Sequence, residues 1–358
     1  MTVLQKLLKD KGITLFQQDR MNLDSYYFEP FQDLEIQYDI SQFFETNPPK
    51  QKKLVPIPDN KYTLFRYFMD GSRKTYKIGD VITPSNKFMP VVAGQVRAGC
   101  CLRDDLGYMH KRLLLPLNYL LLSNAISQDD IDSIKYEYEK SMSSKVPIVV
   151  ESYAFEKFKE DTPTNAAIAK IHKYMQDAEI SVLSDMVNSN DLSTDAMLLL
   201  DGSLQFISQK FSPDIFYNVI GVSKHFNPNL SGVVKGKVHI GSLLVKLNFG
   251  ERTPVIKTKS RDERYTYGAW YLKIRDIKTV NNPLEGVIKV EKMALKEHME
   301  NGFETSAIDN ISAALINERI PTCHGNDSRW ANHLYPIYLT EKLVKSTMLS
   351  DIYFVNLF

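Results

Sequence analysis

Two short runs carry the chemistry this chain could perform. Leu64–Ser72 (LFRYFMDGS) is an apolar, aromatic-rich stretch that closes on Asp70, and Ala196–Ser203 (AMLLLDGS) repeats that ending at Asp201. Each puts one carboxylate where a buried strand would give out into a glycine turn. In α/β sheets, ligands and catalytic groups collect at the carboxyl ends of strands. Taken singly, an Asp-Gly pair is ordinary turn chemistry. Two of them, if the fold brings them together, suit two-metal hydrolysis, in which carboxylates hold two cations ~3.5–4 Å apart around a phosphate. Hard carboxylate donors favour Mg²⁺ or Mn²⁺ over zinc.

A third carboxylate should help complete such a site. Glu179 is the first choice, on the helix before the second aspartate and beside its apolar face; Asp177, Asp185 and Glu151 compete. An exposed Glu on an amphipathic helix is the plainer reading. Lys224 follows the strand expected beside the one ending at Asp201, where an ammonium could meet a scissile phosphate as a point charge. A surface Lys at a strand end fits its position equally. The basic stretch Lys257–Arg264 offers Lys257, Lys259, Arg261 and Arg264, followed by Tyr265, Tyr267, Trp270 and Tyr271. Basic groups beside aromatics suit a single-strand nucleic-acid path, although a charged loop leading into a hairpin reads the same way. There is no HExxH, no GxxxxGK[ST] and no GxSxG, so zinc-protease, P-loop and serine-hydrolase chemistry find no motif, and any energy from ATP must come from a partner.

The elements that must position these groups follow from the pattern. The chain has 358 residues, 43% hydrophobic and 24% charged, enough to bury a sizeable core. The net charge of +1 carries no global basic field, so any nucleic-acid surface must be local. Three Cys form no disulfide framework or zinc pattern. No apolar run reaches the ~18 residues of a membrane span, and MTVLQKLLKDKG reads as an amphipathic helix rather than a signal peptide, so the expected location is the cytoplasm. Residues 13–60 read as an extension with one or two helices. Strands are expected over Tyr62–Asp70, Thr75–Thr83 and Met89–Leu102 as an antiparallel meander, and a helical region over Arg103–Ser141. A strand follows at Lys145–Tyr153, a helix at Thr162–Asn188, buried strands at Ala196–Leu200 and Phe216–Ser223, a hairpin at Gly268–Arg275 and Gly286–Lys292, and helices at 303–318 and from about Leu339. The tail DIYFVNLF is apolar for a terminus and either packs as a final strand, the favoured reading, or is a docking segment. This order is that of an α/β fold with an RNase H-like mixed sheet, an antiparallel meander followed by parallel strands, with helical and hairpin insertions.

Four pieces in order, YFMDGS, LLLDGSL, VIGVSK and HLYPIYLTEK, make residues 60–345 resemble the NurA nuclease family. The resemblance implies an RNase H-like core and Mn²⁺-dependent DNA cleavage, combining single-strand endonuclease with 5′–3′ exonuclease activity. It also implies a dimer docked on a HerA-type hexameric ATPase in DNA end processing or anti-phage defence. It makes Asp70 and Asp201 the metal-binding aspartates, Glu179 the helical glutamate, Lys224 the lysine after the next strand and Tyr335 the tyrosine of the C-terminal motif. It divides the chain into an extension (1–60), the nuclease domain (61–345) and a tail (346–358). The C-terminal motif departs from the family: Tyr338 stands where a second proline is expected, and Leu343 where a metal-binding His or Asp is expected. Glu341 or His333 could substitute. A nuclease-like subunit without catalysis, or a PIWI-like nucleic-acid-binding protein, is the alternative, though no guide 5′-phosphate pocket is recognisable.

Overall fold

The computed structural model describes residues 2–17, 20–24, 39–48, 52–53, 64–83, 86–142, 146–155, 162–204, 212–226, 233–234, 238–259, 265–322 and 330–358. The chain is an α/β protein built on one large mixed sheet with helices on both faces. Three long strands open it: β1 (Phe65–Ile82), β2 (Phe88–Arg103) and β3 (Met109–Ser123), each antiparallel to the next. Helix α2 (Gln128–Met142) leads to β4 (Val149–Tyr153), parallel to β3. Helix α3 (Pro163–Asn188) crosses back to β5 (Met197–Asp201), parallel to β1, and β6 (Val219–Ser223) lies parallel to β5. The spatial order β3-β2-β1-β5-β6 is that of an RNase H-like core. Strands β7 (Ile256–Lys259), β8 (Thr266–Lys273) and β9 (Val287–Met293) extend the sheet antiparallel beyond β6, with β9 beside β6.

Two expected elements are redrawn. Leu113–Leu121 is strand, not helix, because β2 satisfies its backbone along one edge and β4 along part of the other. A continuous leucine run does not distinguish the two, but Pro116 forbids a helix interior. In the strand it is tolerated because β4 pairs only from Tyr119 onward, leaving the proline on an unpaired edge. The expected turn at Asp70–Ser72 is also absent. β1 runs through it, with Asp70 opposite Gly99 and Gly71 opposite Ala98, so the first two expected strands are one.

Helix α3 forms as expected: Thr162 caps it by accepting from the Asn165 amide at 3.1 Å, and Pro163 sits in the first turn. Ile168, Ile171, Ala178, Val182 and Met186 then bury against one face of the sheet with Met69, Leu198 and Leu200. The alternate residues Phe65, Phe68, Leu199 and Ile220 face the other side, under α4 (Thr305–Asn317) and α5 (Tyr335–Ser346), with Ile308, Leu315 and Ile337. Each fully buried Leu, Ile, Val, Phe or Met among them contributes roughly 1.5–3 kcal/mol.

The amphipathic helix expected at the start forms as α1 (Val3–Asp10), whereas the described residues of 13–60 form short strands with no helix among them. Leu15–Phe16 and Met21–Asn22 pair with β1, and Asp39–Phe43 pairs with β7. The tail packs, but as helix α6 (Asp351–Val355) rather than a strand. Phe354 and Phe358 join Leu4 and Leu8 in the same core as Met69. Among the described residues, no helix is long and apolar enough to cross a membrane.

Candidate active site

Register brings the two aspartates together. Met69 of β1 lies beside Leu200 of β5, so the next residues, Asp70 and Asp201, stand side by side on neighbouring parallel strands. Strands so paired are ~4.8 Å apart, and residues in register point to the same face. That face is the one covered by α5, because Gly99, opposite Asp70, has Val344 of α5 against it. A Cβ on Gly99 would stand 3.0 Å from Val344 Cγ2, so the glycine lets α5 settle close to the aspartates.

Glu179 arrives from α3 on the opposite face. It lies over Gly71, and a Cβ at that position would run into its carboxylate. The Asp-Gly pair is therefore required here for close approach, not for a turn. Asp201 ends its strand, and Gly202 after it has φ +128, a conformation that favours glycine. Glu291 of β9 holds the following residues, accepting from Ser203 Oγ at 2.7 Å and from the Leu204 amide at 2.8 Å while pairing with Lys289 at 2.8 Å.

Lys224, one residue past β6, donates from Nζ to Asp201 Oδ2 at 2.7 Å and stands 3.7 Å from Glu341 Oε2. Its backbone carbonyl is held by Asn332 Nδ2 at 2.8 Å. Glu341 also pairs with Lys345 one turn along α5. These groups open onto a cleft of about 410 Å³ whose lining includes Asp70, Asp201, Glu341, Lys224, Lys345 and Arg73. Asp24 is at its rim, 3.2 Å from Arg73.

The electrostatics are those of crowded carboxylates. Burial, then the charges of Asp201, Glu341 and Glu179, hold the Asp70 carboxyl well above the usual range, and Lys224 only partly offsets them. Burial, helped by Asp201, pushes Glu179 up to about 8. Burial opposes the charge on Lys224, but Asp201, Glu341 and Asp70 together outweigh it and hold its ammonium above the ordinary lysine value. Burial likewise opposes ionisation of Glu341, yet Lys345 and Lys224 keep its carboxyl below the usual value. Among the described residues no three His, Cys, Asp or Glu side chains are gathered tightly enough to hold a metal ion as they stand. The donor set is nonetheless all carboxylate oxygen, which matches a hard divalent cation, and a cation at Asp201 would share that carboxylate with Lys224.

Of the expected residues, Asp70, Asp201 and Lys224 line the cleft, and Glu179 abuts it through Gly71. Two of its three competitors are engaged elsewhere, Asp185 with Arg112 at 3.6 Å and Glu151 with Lys135 at 3.0 Å, and Asp177 does not line the cleft. Glu341 reaches the cleft, whereas His333 is buried, edge-on to Tyr338. Tyr335 starts α5, its amide donating to the Glu318 carbonyl at 2.7 Å; it is six residues before Glu341, about 9 Å along the axis, and does not line the cleft. Lys257 and Lys259 are on β7, four strands from β5, roughly 19 Å across the sheet. Lys257 Nζ sits 5.0 Å over the Phe44 ring. Arg261 and Arg264 lie outside the described residues. Tyr267, Trp270 and Tyr271 are fully buried, because β8 is an inner strand, so they offer no base-stacking path. Arg73, Lys345, Glu291 and Lys289 were not singled out from the sequence, since each is an ordinary charged residue until the strands pair. No family model matches the chain, and no curated protein matches it.

Proposed function

We propose that this chain is a divalent-metal-dependent DNA nuclease, with single-strand endonuclease and 5′–3′ exonuclease activity. In this reading it acts in the cytoplasm as a homodimer with a HerA-like hexameric ATPase, in DNA end processing or anti-phage defence. The observation that carries the cleavage reading is the in-register pair Asp70 and Asp201, flanked by Lys224 in a solvent-open cleft at the end of β5.

Asp70 and Asp201, with Glu179 from the α3 side, would hold Mn²⁺ or Mg²⁺, which when bound supplies an activated water and charge at the phosphate. The protein's own groups do the rest. Lys224 presents an ammonium, kept charged by Asp201 and Glu341, to a phosphate oxygen. Arg73 and Lys345 add positive charge along the cleft where a backbone would run. Glu341 restrains Lys224 from the far side of Asp201.

The Lys224–Asp201 ion pair favours a second reading, in which the ammonium takes the cation's place and the chain is a DNA-binding or ATPase-docking subunit without catalysis. Labelled single- and double-stranded DNA incubated with Mn²⁺, Mg²⁺ or chelator, with and without the ATPase, separates the two. Cleavage that requires metal and is lost in Asp70→Asn and Asp201→Asn supports the nuclease. DNA binding with no cleavage under any condition supports the subunit. Cleavage that survives both substitutions overturns the site.

A further inference from the structure

At the other end of β5 and β6 from the carboxylates, about 13 Å away along the strands, lies a second cavity of about 430 Å³. Its size is that of a pocket for a single small ligand. Leu64, Met197 and Ile311 make the interior apolar. One amine belongs to that wall. Lys292 is on β9, an inner strand, two residues past Val290 and four past Ile288, both of which pack with Ile308 and Leu315 of α4. Residues two apart in a strand share a face, so the Lys292 side chain leaves the sheet on its core side and lines the cavity.

These surroundings suit a neutral amine better than an ammonium. Among the described residues no carboxylate forms an ion pair with Lys292; its Nζ donates to the Tyr217 carbonyl at 2.6 Å and lies 5.5 Å over the Tyr217 ring. Burial pushes the ammonium down to about 8, while the charge of Glu297 pulls the other way. Glu297 Oε1 stands 3.6 Å from Nε2 of His298, a second titratable group on the cavity wall, whose Nδ1 accepts from the Leu295 amide at 3.1 Å. A lysine desolvated in an apolar pocket is an activated nucleophile, because part of it carries a free lone pair near neutral pH.

We propose that Lys292 captures a small apolar aldehyde in this cavity, as an imine on Nζ. The lone pair attacks the carbonyl carbon, and one N–H proton passes to the carbonyl oxygen to give a carbinolamine. Loss of that oxygen as water, with the second N–H proton, leaves the C=N bond, and nothing is oxidised or reduced. Protonation of the imine nitrogen restores one N–H, which the Tyr217 carbonyl is placed to accept, and the Tyr217 ring lies against the resulting cation. The wall selects the substituent: an alkyl chain buries against Leu64, Met197 and Ile311, whereas a hydroxylated one gains nothing there.

The test is reductive trapping on the full chain in EDTA, which reads the cavity whether or not the carboxylate cleft cuts DNA. Hexanal and its polar counterpart glycolaldehyde are the probes, cyanoborohydride reduces the imine, and peptide mass mapping reports the initial rate at each lysine. At about pH 7.4 a lysine that titrates at about 8 is roughly one-fifth neutral and an ordinary one roughly one-thousandth. Hexanal should therefore label Lys292 about tenfold or more faster than Lys173, an exposed residue of α3. That ratio should narrow as the pH approaches about 10, where the ordinary lysine also loses its proton. With glycolaldehyde the ratio should be several-fold smaller. Ala307→Phe, at an exposed position of α4 on the cavity wall, should slow hexanal at Lys292 by about tenfold and leave Lys173 unchanged. Lys292→Arg should abolish the fast label, and Asp70→Asn should react like the wild type. Labelling of Lys292 no faster than of Lys173, an equal ratio with glycolaldehyde, or undiminished labelling in Ala307→Phe overturns the proposal.

Discussion

The aspartates depend on a missing methyl group. Gly71 makes room for the Glu179 carboxylate next to Asp70. Gly71→Ala should cost ~1–3 kcal/mol by overpacking, read from urea unfolding, and adding Glu179→Ala should recover most of the loss. Additive losses would mean that the two positions do not touch. Glu179 also ties stability to pH. Its carboxyl is raised from 4.5 to about 8 in the folded protein. Below the unfolded value both states hold the proton. Above it the unfolded chain ionises first, so stability falls as pH rises through that window and levels off beyond about 8. Asp70, raised for the same reasons, adds in the same direction. Melting in EDTA from about pH 5 to about pH 8.5 should show this decline, and Glu179→Gln, which cannot ionise, should flatten it. Mn²⁺ should raise the melting temperature more at the alkaline end, where less proton must be displaced.

At the scale of elements, β9 steadies the end of β5. The Lys289–Glu291 pair is buried, and Glu291 spends its remaining acceptor capacity on Ser203 and Leu204, just past Asp201. Glu291→Ala should destabilise by ~3–5 kcal/mol, since it breaks a buried ion pair by removing one of its two charges. Lys289→Met with Glu291→Leu should regain most of that stability yet lower any cleavage rate, because Ser203 and Leu204 then lose the carboxylate that holds them just past Asp201. Urea titration and a cleavage assay on the same preparations measure the two effects; a double variant as active as the wild type would show that the anchor is dispensable. The elements themselves were partly legible. Helix α3 carries its own start signal in Thr162 and Pro163, and β5 is a bounded apolar run. β3 was not legible by periodicity, because leucines on consecutive positions satisfy a helix and a strand alike, and only its pairing partners decide.

For the whole molecule, residues near both ends of the chain pack into one core on the α3 face of the sheet. Phe354 and Phe358 are fully buried with Leu4 and Leu8, and Phe358 stacks on Tyr138 with centroids 6.2 Å apart. Thr2 Oγ1 donates to the Phe358 carbonyl at 2.5 Å. Phe354→Ala should therefore cost ~3–5 kcal/mol, whereas Ile352→Ala, at a side chain 79% exposed in the same helix, should change stability by less than ~0.5 kcal/mol. Equal losses at the two positions would mean the tail docks differently.

By itself the sequence determined the α/β class, helix α3 with the buried strands that follow it, and the candidacy of Asp70 and Asp201, because apolar runs and caps are local properties of the chain; the strands of the meander were drawn only by their pairing. It offered Glu179 as the first choice over Asp177, Asp185 and Glu151, Lys224 as a strand-end lysine, and Glu341 beside His333. Tertiary structure alone decided which of them meet. Strand register sets Asp70 beside Asp201, Gly71 admits Glu179 from the far face, and α5 brings Glu341 to Lys224. It also decided what stays apart: β7 with Lys257 and Lys259 lies across the sheet, and the aromatics of β8 are inside it. Spacing along the chain carries no measure of distance across a sheet, since residues far apart in sequence become neighbours only through pairing that the whole core selects.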